Sequence, residues 1–188
     1  MKSINIWKSR PNWSGAGSRG DLLKFKIDFV NKFVKDYEVS SILDLGCGDL
    51  HFASQLSVDK YTGVDIVDHV HPTSIAAKDF TTKVSRFDEL DDVDGAELCM
   101  SIDVLYHILP DEVDYLHAAL DNLFIKSTKY ILVYAQDPEN TTVRDNGNHI
   151  CNSQWKSYLE EKDVTLIYEQ ETPMAGSGAK FFAYKVNE

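Results

Sequence analysis

The chain has 188 residues, 43% of them hydrophobic and 11% aromatic, which suits one domain with a sizeable core and is short for two. With 30 Asp and Glu against 19 Lys and Arg the formal net charge is −11. A surface of that sign repels phosphate backbones and disfavours a general nucleic-acid binder, although Lys8, Arg10 and Arg19 offer a local basic patch. No run approaches the roughly 18 apolar residues of a membrane span, the first dozen residues lack a secretory apolar segment, and Cys47, Cys99 and Cys151 are scattered without zinc or disulfide-framework spacing. The expected compartment is the cytoplasm.

After a Trp-, Gly- and Ser-containing start, "DLLKFKIDFVNKFVKDY" predicts a helix, with Leu22, Phe25 or Lys26, Phe29 and Phe33 at three- and four-residue steps. "SSILDL" reads as a buried strand, "LHFASQL" as a short helix and "YTGVDIV" as a second strand. "SIAAKDF" and "ELCMSID" supply the third and fourth strands. Pro110 opens a helix, "PDEVDYLHAALDNLF", with Asp111 and Glu112 placed to favour its N-terminal dipole. "KYILVYA" is the fifth strand, a helix follows near "SQWKSYLEEK", and "VTLIYEQE" and "KFFAYKV" close the chain as an antiparallel hairpin at the sheet edge. The alternation predicts an α/β fold, a Rossmann-like doubly wound sheet of seven strands, mostly parallel with a C-terminal antiparallel hairpin.

Between the first strand and its helix lies "LDLGCGDLHF". A dinucleotide fingerprint needs a third glycine at position 51, where it packs the helix against a pyrophosphate site. His51 stands there instead, so the loop suits an adenosine cofactor without a pyrophosphate. S-adenosylmethionine is one, and its sulfonium and ammonium favour nearby carboxylates. Asp44 lies two residues before Gly46, and Asp65 ends the second strand 21 residues after Asp44, where an acid can bind both ribose hydroxyls.

Here the chain resembles the class I S-adenosylmethionine-dependent methyltransferases, from Asp21 to Val186, through "LDLGCGD", "GVDIV", "KDF", "SIDVLYH" and the terminal strand pair. The resemblance implies S-adenosylmethionine as cofactor, with Asp44, Gly46, Cys47, Gly48, Asp65, Ile66, Asp79, Phe80 and Ser101 around it and Asp79 accepting from the adenine amino group. It departs at Leu50, where many members have glycine, and in "VDHVHPTS", where a helix is expected. It further implies that "SIDVLYH" faces the glycine loop. Asp103 or His107 would be the base for an oxygen acceptor, and Tyr106 would reach the substrate. Each also has a purely structural reading, Asp103 as a turn cap and His107 as a packing residue.

Residues 1–20 read either as a flexible leader or as a segment folding over the cofactor, with Trp13 packing and Ser18 or Arg19 near its carboxylate; residues 21–188 form the single methyltransferase domain. Arg144 and His149, in the loop after the fifth strand, are candidate substrate contacts. "HVH" at 69–71 lacks a second ligand pair and "DELDDVDG" fails the calcium-loop register, so no metal is expected. "SIDVLYH" carries no Pro-Pro-aromatic clamp for a flipped base. The expected activity is methyl transfer to a small molecule or sugar. An RNA or protein methyltransferase and a non-catalytic S-adenosylmethionine-binding module are the alternatives.

Overall fold

The computed structural model describes residues 1–9, 19–68, 79–136, 154–174 and 177–187. Helix α1 (Lys2–Lys8) and helix α2 (Gly20–Asp36) precede β1 (Ser41–Leu45), β2 (Lys60–Asp65), β3 (Asp79–Val84) and β4 (Ala96–Ile102). Then come α3 (Val113–Ile125), β5 (Ser127–Gln136), α4 (Trp155–Glu160), β6 (Val164–Glu171) and β7 (Ala179–Val186). The seven strands form one sheet in the order β3-β2-β1-β4-β5-β7-β6. The first five pair in parallel, and β7 runs antiparallel between β5 and β6.

Period-two alternation assigns each strand residue to one of two cores. Ile42, Leu98, Met100, Leu132 and Phe181 face α2, whereas Leu43, Cys99, Ile131, Val133 and Phe182 face α3 and α4. Burial on both faces explains why these strands are apolar throughout. The inward stripe of α2 is Leu23, Lys26, Ile27, Val30, Phe33 and Val34; Leu22, Phe25 and Phe29 flank it, half-buried. One lysine thus sits among the apolar residues that bind the helix to the sheet.

The strand order reverses at β1: the chain passes from β1 to β2 on one side and later returns to β4 on the other. The carboxyl ends of β1 and β4 therefore part into a crevice, where ligands of open α/β sheets bind. Three local expectations change. "LHFASQL" forms only a 3-10 turn, Ala53–Gln55. Residues 2–8, expected as leader, are helical. The third strand, Asp79–Val84, runs past the expected end at Phe80 through Thr81, Thr82 and Val84, since β-branched side chains suit a strand; residues 74–78 of the expected strand lie outside the described residues.

Candidate functional site

The first glycine loop is shaped by its backbone. Gly46 N and Cys47 N both donate to the Val64 carbonyl, at 2.7 and 3.2 Å, folding the loop over β2. Gly46 has φ +95° and Gly48 φ +57°, values that glycine adopts without a Cβ penalty. A Cβ on Gly46 would lie 2.1 Å from Val104 Cγ2, so this glycine also lets the loop close against the exit of β4. Leu50 has φ +62°, and its side chain is fully buried. That burial offsets a backbone strain of about 1–2 kcal/mol where related loops carry glycine.

Two carboxylates stand at the ends of β1 and β2. Asp65 accepts from Gly48 N at 2.8 Å on one oxygen and from Val67 N at 3.0 Å on the other. Asp44 is 2% exposed. Its Oδ2 accepts from the Tyr61 hydroxyl at 2.6 Å, while its Oδ1 has no hydrogen-bond partner among the described residues. Burial pushes the Asp44 carboxyl up to about 7; the Tyr61 hydrogen bond opposes this, the Asp65 charge adds to it and the Lys26 charge opposes it. Burial likewise pushes the Cys47 thiol well up, consistent with packing rather than nucleophilic chemistry.

These groups line a cleft of about 870 Å³, part of it open to solvent, together with Cys47 and Ile66. Phe87, just past the carboxyl end of β3, and Tyr115 of α3 also line it, their rings stacked at 6.0 Å and 11°. On the β4 side, Asp103 has φ +62° and is ion-paired with Lys26, while Tyr106 Oη donates to Asp103 Oδ1 at 2.8 Å. Both Asp103 oxygens are engaged. The last wall is α1, from which Ser3, Ile4 and Trp7 face the cleft; the Trp7 ring meets the His107 ring edge-on at 4.8 Å.

The structure thus gathers Asp44, Gly46, Cys47, Gly48, Asp65, Ile66, Asp103 and His107 around one cleft. Other expected residues lie elsewhere. Asp79 pairs with Lys60 at the amino end of the sheet, whereas Val84 pairs with Asp65; five strand steps of about 3.3 Å place Asp79 roughly 16 Å from the cleft end. Phe80 stacks on Tyr61 at 5.3 Å and so touches the site only through the ring that donates to Asp44. Ser101 is buried and donates to the Leu45 carbonyl at 3.2 Å, tying β1 to β4. Tyr106 turns its hydroxyl to Asp103 and is not part of the cleft wall. Arg19 is paired with Asp49 at 2.6 Å, beside the glycine loop. Trp13, Ser18, His69, His71, Arg144 and His149 lie outside the described residues. Among the described residues, no group of three or more His, Cys, Asp or Glu is arranged to hold a metal ion.

Three contributions escaped sequence reasoning. Lys26 was visible as a charge on an apolar stripe. Ile4 and Trp7 had the three-residue spacing of a helix face but too short a run to carry a periodicity argument. Phe87 gave no signal once the third strand was ended at Phe80.

No protein-family model matches the chain, and neither does the sequence of any curated protein. Solved structures match in shape. The N-methyltransferase NodS from Bradyrhizobium japonicum WM9, in complex with S-adenosyl-L-homocysteine, superposes with a TM-score of 0.71 at 13% identity, over 99% of this chain and 100% of that one. The chain has the class I methyltransferase fold. Magnesium protoporphyrin IX methyltransferase (ChlM) from Synechocystis PCC 6803, with bound S-adenosyl-L-homocysteine, gives 0.69 at 13% identity over 98% and 100% of the two chains. The methyltransferase domain of the bacterial CtHen1-C gives 0.63 at 18% over 87% and 97%. At such identities the methyltransferase likeness is one of fold. ChlM is named for magnesium protoporphyrin IX, whereas the small RNA methyltransferase HEN1, which gives 0.64 at 16% identity over 88% of this chain and 25% of that one, is named for small RNA. Among the described residues no helix of this methyltransferase fold is long and apolar enough to cross a membrane.

Proposed function

We propose that the chain is an S-adenosylmethionine-dependent methyltransferase acting on a small-molecule acceptor. The observation that carries the reading is the Asp44 carboxylate: buried, held by Tyr61 on one oxygen and without a partner among the described residues on the other, in the wall of the cleft. A buried acceptor atom without a donor is costly, and an ammonium-bearing ligand satisfies it. The rest of the cleft fits the same group. Asp65 offers a carboxylate for ribose hydroxyls, Ile66 and the Phe87–Tyr115 pair offer apolar surface for an adenine ring, and Gly46 and Gly48 let backbone approach closely. S-adenosylmethionine bound there would supply a methyl carbon on a sulfonium sulfur that leaves with the bonding electron pair.

This chain's own work is then to orient and dehydrate the acceptor and to receive its proton. Asp103 is ion-paired with Lys26 and accepts from the Tyr106 hydroxyl, contacts that fix it in place. We assign it the positioning of the β4 exit. His107, whose ring lines the cleft at the end of β4, is the base for an oxygen acceptor. Folding of α1 over the site fits residues 1–20 serving as a cover.

Calorimetric titration with S-adenosylmethionine, S-adenosylhomocysteine and NAD tests the reading. Micromolar affinity for the adenosyl compounds, roughly −8 kcal/mol, abolished in Asp65→Ala, is expected. Heat with NAD alone, or with none of the three, removes it. Transfer to RNA or protein substrates with an intact adenosyl site would favour the macromolecular alternative, and adenosyl binding without transfer to any acceptor the binding-module alternative.

A further inference from the structure

The end of the cleft over β4 differs in chemistry from the end over β1 and β2. Asp44 and Asp65 make the latter acidic. Over β4, among the described residues, the wall is Ile4, Trp7, Ile102, Val104, Ile108 and His107, with Ser3, Lys26 and Asp103 as its polar members. The charges nearby are matched with one another: Lys26 with Asp103, and Lys2 with Asp111 at 2.6 Å. Glu112 accepts from Ser3 N at 3.3 Å and from the Ser3 hydroxyl, which spends its charge on anchoring α1. Trp7 and His107 present two rings at 65° to each other, 4.8 Å apart, on the two elements that bound this end.

Each acceptor chemistry meets that wall differently. A phosphate, a carboxylate or a nucleic-acid backbone would face Asp44 and Asp65 across the cleft, with the one lining ammonium, Lys26, already matched to Asp103. A sugar brings several hydroxyls that each need a partner on burial, whereas Lys26 and Asp103 are bound to each other and Ser3 to Glu112, and the rest of the described wall is an indole, an imidazole, three isoleucines and a valine. A flat apolar ring fits both the edge-on aromatic pair and the aliphatic remainder.

Resting on the methyltransferase reading, we infer that the acceptor is a small uncharged aromatic molecule bearing one nucleophilic oxygen or nitrogen, seated under α1 against the edge-on Trp7–His107 pair, with Trp7 selecting it. Trp7 is a binding residue for the ring, and its neighbour His107 faces the substituent that is methylated.

The test uses the full chain saturated with S-adenosylhomocysteine, whose binding is measured first by calorimetry. Ligand-observed NMR then follows phenol, 2-naphthol and indole, methyl glucoside and methyl riboside, and a short single-stranded RNA. The aromatic probes are expected to bind and the others not. Trp7→Ala should weaken the aromatic probes roughly tenfold, the order of loss typical of a buried aromatic anchor, and Trp7→Phe should recover most of it. Preference for the glycosides or the RNA overturns the inference. So does aromatic binding that survives Trp7→Ala, a Trp7→Phe loss as large as that of Trp7→Ala, or binding of no probe at all. Failure of S-adenosylhomocysteine to bind the unaltered chain takes down the methyltransferase reading instead, before any acceptor is added.

Discussion

Asp44→Asn should raise the stability of the unliganded protein and weaken its hold on S-adenosylmethionine. The Asp44 carboxyl rises from the ordinary 3.8 to about 7, chiefly through burial. A carboxyl raised on folding binds its proton more tightly in the folded state, so stability is lost as pH climbs from 3.8 and the loss is complete above about 7. At 1.36 kcal/mol per unit, burying the Asp44 carboxyl lowers stability by about 4 kcal/mol at pH 8, where it is ionised, and by about 1.5 kcal/mol at pH 5, where the folded protein holds it protonated. Asparagine keeps an acceptor for Tyr61 but buries an amide that has no designed partner, at about 1–2 kcal/mol. The net gain is about 2–3 kcal/mol at pH 8, a rise in melting temperature of roughly 5–10 °C, and near zero at pH 5. Loss of the charged acceptor should weaken S-adenosylmethionine roughly 10- to 100-fold. In the unaltered protein, affinity should climb with pH toward 7 and level off above it, because a cation binds the ionised carboxylate. Thermal melts at pH 5 and 8 and calorimetry over the same range read all three. A variant that melts equally lower at both pH values, with unchanged affinity, would show that Asp44 is neither held against burial nor aimed at a ligand.

Gly46→Ala combines φ +95° with a 2.1 Å approach to Val104 Cγ2 and should cost about 2–4 kcal/mol in denaturant melts; adding Val104→Ala should recover only the clash, leaving the strain of the backbone. Lys26→Met leaves Asp103 without its ammonium in a largely buried position, for which a loss of about 3 kcal/mol is expected, largely relieved in Lys26→Met/Asp103→Asn. A double-mutant cycle by chemical denaturation reads that coupling, and additive losses would refute it. Asp79→Ala, at the far end of β3, should change stability by no more than about 0.5 kcal/mol and S-adenosylmethionine affinity by less than about twofold; a larger loss of affinity would restore it to the site.

The mostly parallel sheet, its terminal hairpin and the two central carboxylates were legible before any coordinates, because each rests on a local rule. Alternating apolar strands and helices force a parallel sheet, glycines mark a left-handed turn, and an acid at a strand's carboxyl end points into the crevice. Where local preference was weak, legibility ended. Local preference did not mark where β3 ends, and ending it at Phe80 rather than Val84 put Asp79 and Phe80 at the wrong end of the sheet and hid Phe87. Asp103 and Tyr106 carry the residue types of acid–base chemistry. Only the approach of Lys26, 77 residues earlier in the chain, shows that Asp103 is already matched. The same holds for α1: seven residues cannot hold a helix by propensity alone, and it is Ser3 on Glu112, 109 residues away, with Ile4 in the core, that seats Trp7 over the cleft. Sequence by itself determined the scaffold and the cofactor end, since these depend on backbone geometry and residues close in the chain. Tertiary structure alone decided which charges neutralise one another and what walls the acceptor end, because those depend on contacts between segments that no local pattern links.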